Sequence, residues 1–397
     1  MDPIQNPYAP GAGQRPPELA GRDQQLRQFD VVLERIARGR PERSMVLTGL
    51  RGVGKTVLLN AMRSAAVRAG WGTGKFEARP DQSVRRPIGA ALHMAVRELA
   101  HPDPAPVLGA LKAFVERDSP KGSKLADRWQ PGIMAPTVTG RADSGDIEID
   151  LVELLVDIAG LASDVGRGVA LCIDEMQDLG PADVSAVCAA VHELGQQGLP
   201  LVIVGAGLPH LPAVLSASKS YSERLFRYQL VDRLPRDAAD QALVAPATDE
   251  GVEWGPEALD AMYALTGGYP YFVQAYGKAA WDYAPRSPIS DTDVALAAPG
   301  ADAELAVGFF GSRFERATPA EREYLRAMAE VFDEAESNED DAVPTAAIAT
   351  VLGRAPQSLS PARDALLKKG LVYSGQRGRI AFTVPHFGRY LRQQEVS

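Results

Sequence analysis

The chain has 397 residues, enough for two or three domains and a large buried core. Hydrophobic residues make up 45% and charged residues 23%, the balance of a globular protein rather than a disordered or fibrous one. The net charge of −9 argues against a surface that coats nucleic acid indiscriminately, and two cysteines, Cys172 and Cys188, argue against a disulfide framework or a thiolate metal site.

Residues 1–17 are rich in Pro, Gly and Gln, with neither a basic n-region nor an apolar h-region. They are expected to be a flexible tail and not a signal peptide. A helix follows to about Ala37, with Leu26, Phe29, Val32, Leu33 and Ile36 in one apolar stripe. Strands are expected at Met45–Thr48, Gly74–Ala78, Val169–Ile173 and Leu201–Val204, separated by helices at Ile88–Leu99, Leu151–Ala162 and Val184–Leu194. Strands alternating with helices predict a parallel sheet covered on both faces. His101–Asp146 reads as a surface excursion around one amphipathic piece, Pro106–Arg117, with a mobile segment at Ser119–Ser144. The most apolar stretch, Leu199–Leu215, is broken by three prolines, so no membrane span is expected and the protein is read as cytoplasmic.

Between the first strand and the helix after it lies Gly49-Leu50-Arg51-Gly52-Val53-Gly54-Lys55-Thr56, the G-x-x-x-x-G-K-[ST] phosphate loop, or Walker A. Glycines let backbone N–H groups converge on phosphate oxygens, and the N-terminus of the helix beginning near Val57 adds its dipole. Lys55 can reach the β- and γ-phosphates of ATP, and the Thr56 hydroxyl can ligate Mg²⁺. The third strand ends in Asp174-Glu175, a Walker B pair at the carboxyl edge of the sheet. Asp174 would hold Mg²⁺ and Glu175 would polarise the attacking water. Gln177 and Asp178 stand close enough to tune Glu175, and a helix-capping role for Asp178 is the equal alternative.

From Pro235 the pattern is helical, at Ala238–Leu243, Pro256–Ala264 and Tyr271–Trp281, and a linker spans Ala284–Asp293. The last region reads as helix Pro319–Val331, an acidic loop Asp333–Asp341, helices Thr345–Leu352 and Ser360–Lys369, and a hairpin Leu371–Val384. That is a winged-helix order. The expected division is a tail (1–17), a P-loop α/β domain (18–234, with the excursion at 101–146), a helical lid (235–300) and a winged-helix domain (301–397). From Pro344 onward, eight Lys/Arg against two acids leave a local charge of +6. Such a module can neutralise phosphates of duplex DNA, with Gln357, Ser358 and Arg363 toward the major groove and Arg377 and Arg379 on the wing.

Leu19-Ala20-Gly21-Arg22-Asp23, the phosphate loop, Asp174-Glu175 and Gly267-Gly268-Tyr269-Pro270, in that order, resemble the motif set of AAA+-related ATPases. Origin-recognition initiator ATPases and STAND signalling ATPases resemble it most. The resemblance covers about residues 17–284. It implies that Gly21 and Arg22 border the adenine and that Tyr269 and Pro270 touch the nucleotide from the lid. It also implies that an arginine following the fourth strand, Arg224 before Arg227, completes the catalytic set with Lys55 and Glu175. Arg224 acting across a subunit boundary would require a homo-oligomer in the ATP state. The implied function is an ATP-hydrolysing regulatory ATPase engaging DNA. The alternatives are a STAND-type switch whose winged helix binds a protein partner and a nucleotide-binding scaffold with little turnover. Two departures stand out: the fourth strand ends in Gly205-Ala206-Gly207 instead of a polar sensor, and the lid around Gly267–Tyr276 has no arginine.

Overall fold

The computed structural model describes residues 1–11, 13–117, 133–332 and 342–394. The sheet is built from β1 (Ser44–Thr48), β2 (Gly72–Glu77), β3 (Val169–Asp174), β4 (Leu201–Gly207) and β5 (Phe226–Leu230). It runs in the order β2-β3-β4-β1-β5, parallel throughout. β1, β3 and β4 are buried along their whole length, the signature of strands covered on both faces. Alternate residues serve opposite faces. Val46, Leu171, Ile173 and Ile203 pack toward α3 (Arg85–Leu99), α5 (Ile147–Asp164) and α6 (Pro181–Gln197). Met45, Leu47, Ala170, Cys172 and Val204 pack toward α1 (Asp23–Ala37) and α2 (Lys55–Arg68). The short helices α4 (Ala105–Glu116), α7 (Leu211–Ser218) and α8 (Ser222–Leu225) complete this part. Both cysteines are buried, and burial pushes the Cys172 thiol up to about 12, so they serve as core side chains.

The helical region contains α9 (Arg236–Asp249), α10 (Pro256–Thr266), α11 (Pro270–Tyr283) and α12 (Asp291–Leu305). The last continues through a π-helical stretch, Ala306–Gly311, into α13 (Ser312–Phe314). Then come α14 (Pro319–Val331), β6 (Val343–Pro344), α15 (Thr345–Val351), α16 (Pro356–Lys368), β7 (Val372–Tyr373), β8 (Arg379–Phe382) and α17 (Phe387–Gln393). The last three strands form an antiparallel sheet in the order β6-β8-β7.

Several expectations are corrected. β5 is an additional strand running through the segment expected only to carry an arginine. Helix α12 runs through the boundary expected at residue 300; Pro299 and Gly300 mask its helical pattern in the sequence. A single apolar core joins the lid to the C-terminal region across that boundary, with Phe272 of α11 against Phe309 and Phe310, and Phe310 stacked on Phe387 and Tyr390. By length and composition the helical run 291–314 could cross a membrane, but Phe309, Phe310 and Phe314 are buried inside this core. In the excursion, residues 118–132 lie outside the described residues; Ile133, Ala135 and Ala142 are buried rather than loose. The acidic loop 333–341 also lies outside them.

The flexible-tail expectation for residues 1–17 is not met. Tyr8 is 3% exposed, sealed between Trp254 and Trp281. Its hydroxyl donates to the Leu243 carbonyl (2.6 Å) and accepts from Trp254 Nε1 (2.9 Å), while Asn6 ties to Lys278 and Asp282. A single anchoring aromatic with both hydrogen bonds satisfied outweighs the Pro/Gly composition around it. Tyr8→Phe, which leaves two buried partners unpaired, is expected to lower stability by about 1–3 kcal/mol, read as a lower urea midpoint. An unchanged midpoint would show that the segment is not held this way.

Candidate functional site

The phosphate loop connects β1 to α2 at the carboxyl edge of the sheet, and β5 ends beside it, with the Val231 N–H donating to the Thr48 carbonyl (2.7 Å). Two of its glycines are required by shape. A Cβ on Gly49 would fall 2.1 Å from the Val231 carbonyl oxygen, and Gly54 sits at φ +89°. Lys55 folds back under the loop, its Nζ donating to the carbonyls of Gly49 (2.8 Å) and Leu50 (2.7 Å). Burial pulls its ammonium down to about 8, with Arg51 adding to the effect and Glu175 and Asp174 opposing it.

Asp174 and Glu175 leave β3 in different directions. Asp174 is buried, faces Lys75 at 3.6 Å, and accepts the Glu175 N–H at 3.1 Å. Glu175 adopts a left-handed backbone (φ +48°), a conformation that costs a non-glycine residue about 1–3 kcal/mol and clusters at functional sites. Burial pushes its carboxyl up, but Arg51, a hydrogen bond from Gln177 and Lys55 outweigh this and hold it below the usual range. Gln177 Nε2 donates to Glu175 (2.6 Å), and its Oε1 accepts the Leu208 N–H at the end of β4 (3.0 Å). The small residues there have a steric reason: a Cβ on Gly205 would meet the Met176 sulfur at 2.5 Å.

These groups open onto a cavity of about 340 Å³, within the ~300–1,000 Å³ of small-molecule sites. Of the expected residues it collects Arg22, Arg51, Gly52, Val53, Gly54, Lys55, Thr56, Val57, Glu175 and Pro270. Arg22 reaches it chiefly as a brace, donating to the Val53 (3.0 Å) and Asp232 (2.6 Å) carbonyls. Gly49, Gly21, Tyr269 and Asp174 do not line it; Tyr269 instead packs on Phe272 and His386. Arg224 precedes β5, at the edge of the sheet opposite the phosphate loop, and Arg227 is paired with Glu42 (3.4 Å) at that same edge. Neither reaches this cavity from within its own chain.

The structure adds residues that the motifs do not single out. Ala9, Gln14 and Pro16 of the N-terminal segment and Tyr271 and Gln274 of α11 roof the cavity, and Arg313 enters from the C-terminal region. The Arg313 guanidinium stacks on Phe309 (4.3 Å) and donates to its carbonyl. Burial pulls it down to about 10, with the charge of Arg51 second, and among the described residues it has no ion-pair partner. Tyr271 and Phe309 carry no local signal for this role; the stacking of Tyr271 on Phe309 (4.4 Å) is what delivers Arg313. Buried cations facing loop amides, with Glu175 as the near carboxylate, fit a triphosphate.

The C-terminal basic residues are partly spent internally. Arg363 pairs with Asp364 (3.0 Å), Arg354 with Glu323 (3.1 Å) and Lys369 with Glu321, and Arg379 donates to the Ala342 carbonyl. Gln357, Ser358 and Arg377 are exposed.

A parallel sheet in this order, with its phosphate loop and acidic pair at one edge, defines an AAA-type P-loop ATPase fold followed by a helical region. The comparisons agree. Residues 18–204 match the model of the AAA ATPase domain, and residues 307–391 match a domain of unknown function (DUF8462). A Walker-type ATPase of Pyrococcus abyssi superposes with a TM-score of 0.58 at 14% identity, over 95% of this chain and 97% of that one. Cdc6p from Pyrobaculum aerophilum (TM-score 0.45, 15% identity, 100% and 99% covered) and the RuvB Holliday junction branch migration motor of Thermotoga maritima (0.43, 18%, 96% and 99%) overlap too loosely to carry an inference. No curated protein matches the chain in sequence.

Lys55 makes the stability of the nucleotide-free protein depend on pH. The unfolded chain keeps this proton up to about 10.5 and the folded chain releases it near 8, so between those values the unfolded state binds more protons. Stability is therefore expected to rise with pH across that window. Lys55→Met should flatten the rise in urea midpoints measured from pH 7.5 to 10.5; an equal rise in both proteins would contradict the buried-ammonium assignment.

Proposed function

We propose that the protein binds Mg²⁺-ATP in this cavity and hydrolyses it to ADP and phosphate as a regulatory ATPase. The observation that carries the reading is the buried Lys55 ammonium, whose hydrogen bonds among the described residues go to loop carbonyls, beside Arg22, Arg51 and Arg313. The loop amides and Lys55 would take the β- and γ-phosphates, Arg313 and Arg51 the outer oxygens, and the N-terminal segment with Pro270 and Tyr271 the nucleoside. Thr56 would ligate Mg²⁺ and Asp174, set back from the cavity, would reach it through water; the ion would supply charge neutralisation between the phosphates. Glu175, kept ionised by its neighbours, would accept the proton of the attacking water. Glu175→Gln should retain ATP binding and lose turnover by at least ~100-fold, whereas Lys55→Ala should lose both. Hydrolysis by Glu175→Gln at the parent rate would remove Glu175 from the role.

Arg224 would act only on the site of a neighbouring copy, making the ATP state a homo-oligomer. Arg224→Ala should then cut turnover by on the order of 10³-fold. Mixing it with Glu175→Gln should restore activity, because the hybrid site has both groups. No recovery on mixing would leave Arg224 a surface residue.

A second reading adds duplex DNA as partner. It is supported by the winged-helix order of α14, α15, α16 and the β7–β8 hairpin, and by exposed Gln357, Ser358 and Arg377. The surface contacts of Arg363 with Asp364 and of Arg379 with the Ala342 carbonyl weaken it. A double variant, Lys368→Ala with Arg377→Ala, should reduce DNA affinity and lower the salt slope by about 2. No salt-dependent binding at low ionic strength would favour the switch whose C-terminal module meets a protein.

A further inference from the structure

Arg51 belongs to the phosphate loop, yet it touches the acidic pair and the C-terminal hairpin as well. Its backbone N–H donates to the Thr383 carbonyl (2.8 Å). Its Nη1 donates to Glu175 Oε1 (3.0 Å), and its Nε points at the Gly370 carbonyl (3.5 Å). That same carbonyl accepts from the buried Thr383 hydroxyl (2.7 Å), so one oxygen ties the hairpin together and presents it to the loop. A Cβ on Gly370, at φ +61°, would stand 3.0 Å from Arg51 Nη2, so the close approach depends on glycine.

Glu175 has its other carboxylate oxygen taken by Gln177 (2.6 Å), so both its oxygens are engaged. Each ionised oxygen accepts more than one hydrogen bond, so a water competes with these two fixed donors for the positions that remain. The Arg51 side chain is 25% exposed and lines the cavity, with Lys55 and Arg313 on the same wall. A terminal phosphate placed there carries more charge than one carboxylate and offers a guanidinium two oxygens at once, so it competes well for Arg51.

We propose that Arg51 is a positioning residue shared between Glu175 and the C-terminal hairpin: bound to both, it fixes the orientation of the carboxylate, and drawn to a terminal phosphate, it releases both. The inference rests on the cavity being the ATP site and Glu175 the base. It makes hydrolysis and hairpin docking readouts of one guanidinium.

Two measurements on the full chain test it. Steady-state kinetics give the first: Arg51→Lys keeps the charge but loses the planar fork that can reach Glu175, the Gly370 carbonyl and two phosphate oxygens, so kcat should fall by about tenfold with KM changed less. In hydrogen exchange, saturating the parent protein with Mg²⁺ and a non-hydrolysable ATP analogue should speed exchange across residues 371–384. In Arg51→Ala these residues should exchange fast from the start and not respond; Arg51→Gln serves should the alanine variant not fold. An unchanged kcat in Arg51→Lys, or parent exchange that stays constant or slows, overturns the proposal. Calorimetry on the same samples separates the two levels. Analogue binding with neither effect removes only the role of Arg51, whereas no binding by the parent protein removes the ATP-site reading and this inference with it.

Discussion

A buried ammonium that forms no ion pair among the described residues is the constraint on which the site turns. Lys55 is held by two carbonyls of its own loop, and burial has already weakened its hold on its proton. Taking a cation out of water costs on the order of several kcal/mol unless a partner offsets it. Carbonyl dipoles offset part of this. The remainder is a standing affinity for an anion, increased by half-buried Arg313, which forms no ion pair among the described residues. The cationic excess is a property of the cavity as a whole, since its positive groups come from three separate stretches of chain.

Those stretches meet because apolar contacts bring them together. Tyr8 seats the N-terminal segment in a slot between the tryptophans of the helical region, and that segment then roofs the cavity. The ring of Tyr271 stacks on Phe309, and the chain after Phe309 carries Arg313 inward. The tightly packed aromatic set from Phe272 to Tyr390 makes the lid and the C-terminal helices a single core. A rigid core of this kind transmits a displacement at the phosphate loop, because close packing leaves little room for independent relaxation.

How legible this was in the sequence differs from one residue to the next. The phosphate loop and the Asp174-Glu175 pair are local patterns whose chemistry follows from residue type and spacing, and Lys55, Thr56 and Glu175 lie at one edge as the strand–loop–helix pattern requires. The strands were located to within a few residues because their burial on both faces leaves continuous apolar runs. β5 was missed because Arg227, Tyr228 and Gln229 give an edge strand no such run. α12 was missed because Pro299 and the nearby glycines interrupt its pattern, although a helix held by tertiary contacts tolerates them. The composition of the N-terminal segment pointed to mobility, and composition does not register one well-placed tyrosine.

By itself, then, the order of residues determined the parallel sheet, the place of the phosphate loop and the acidic pair beside it. These rest on periodicity and on interactions within a few positions of one another. Only the tertiary structure decided that Asp174 is set back from the cavity, that Arg224 faces away from it, and that Arg51, Arg313 and the first residues converge on it. The partners of Arg51 are 124 and 319 positions away along the chain. No local pattern encodes a contact of that span; it exists because two apolar surfaces close on each other and carry the charged groups with them.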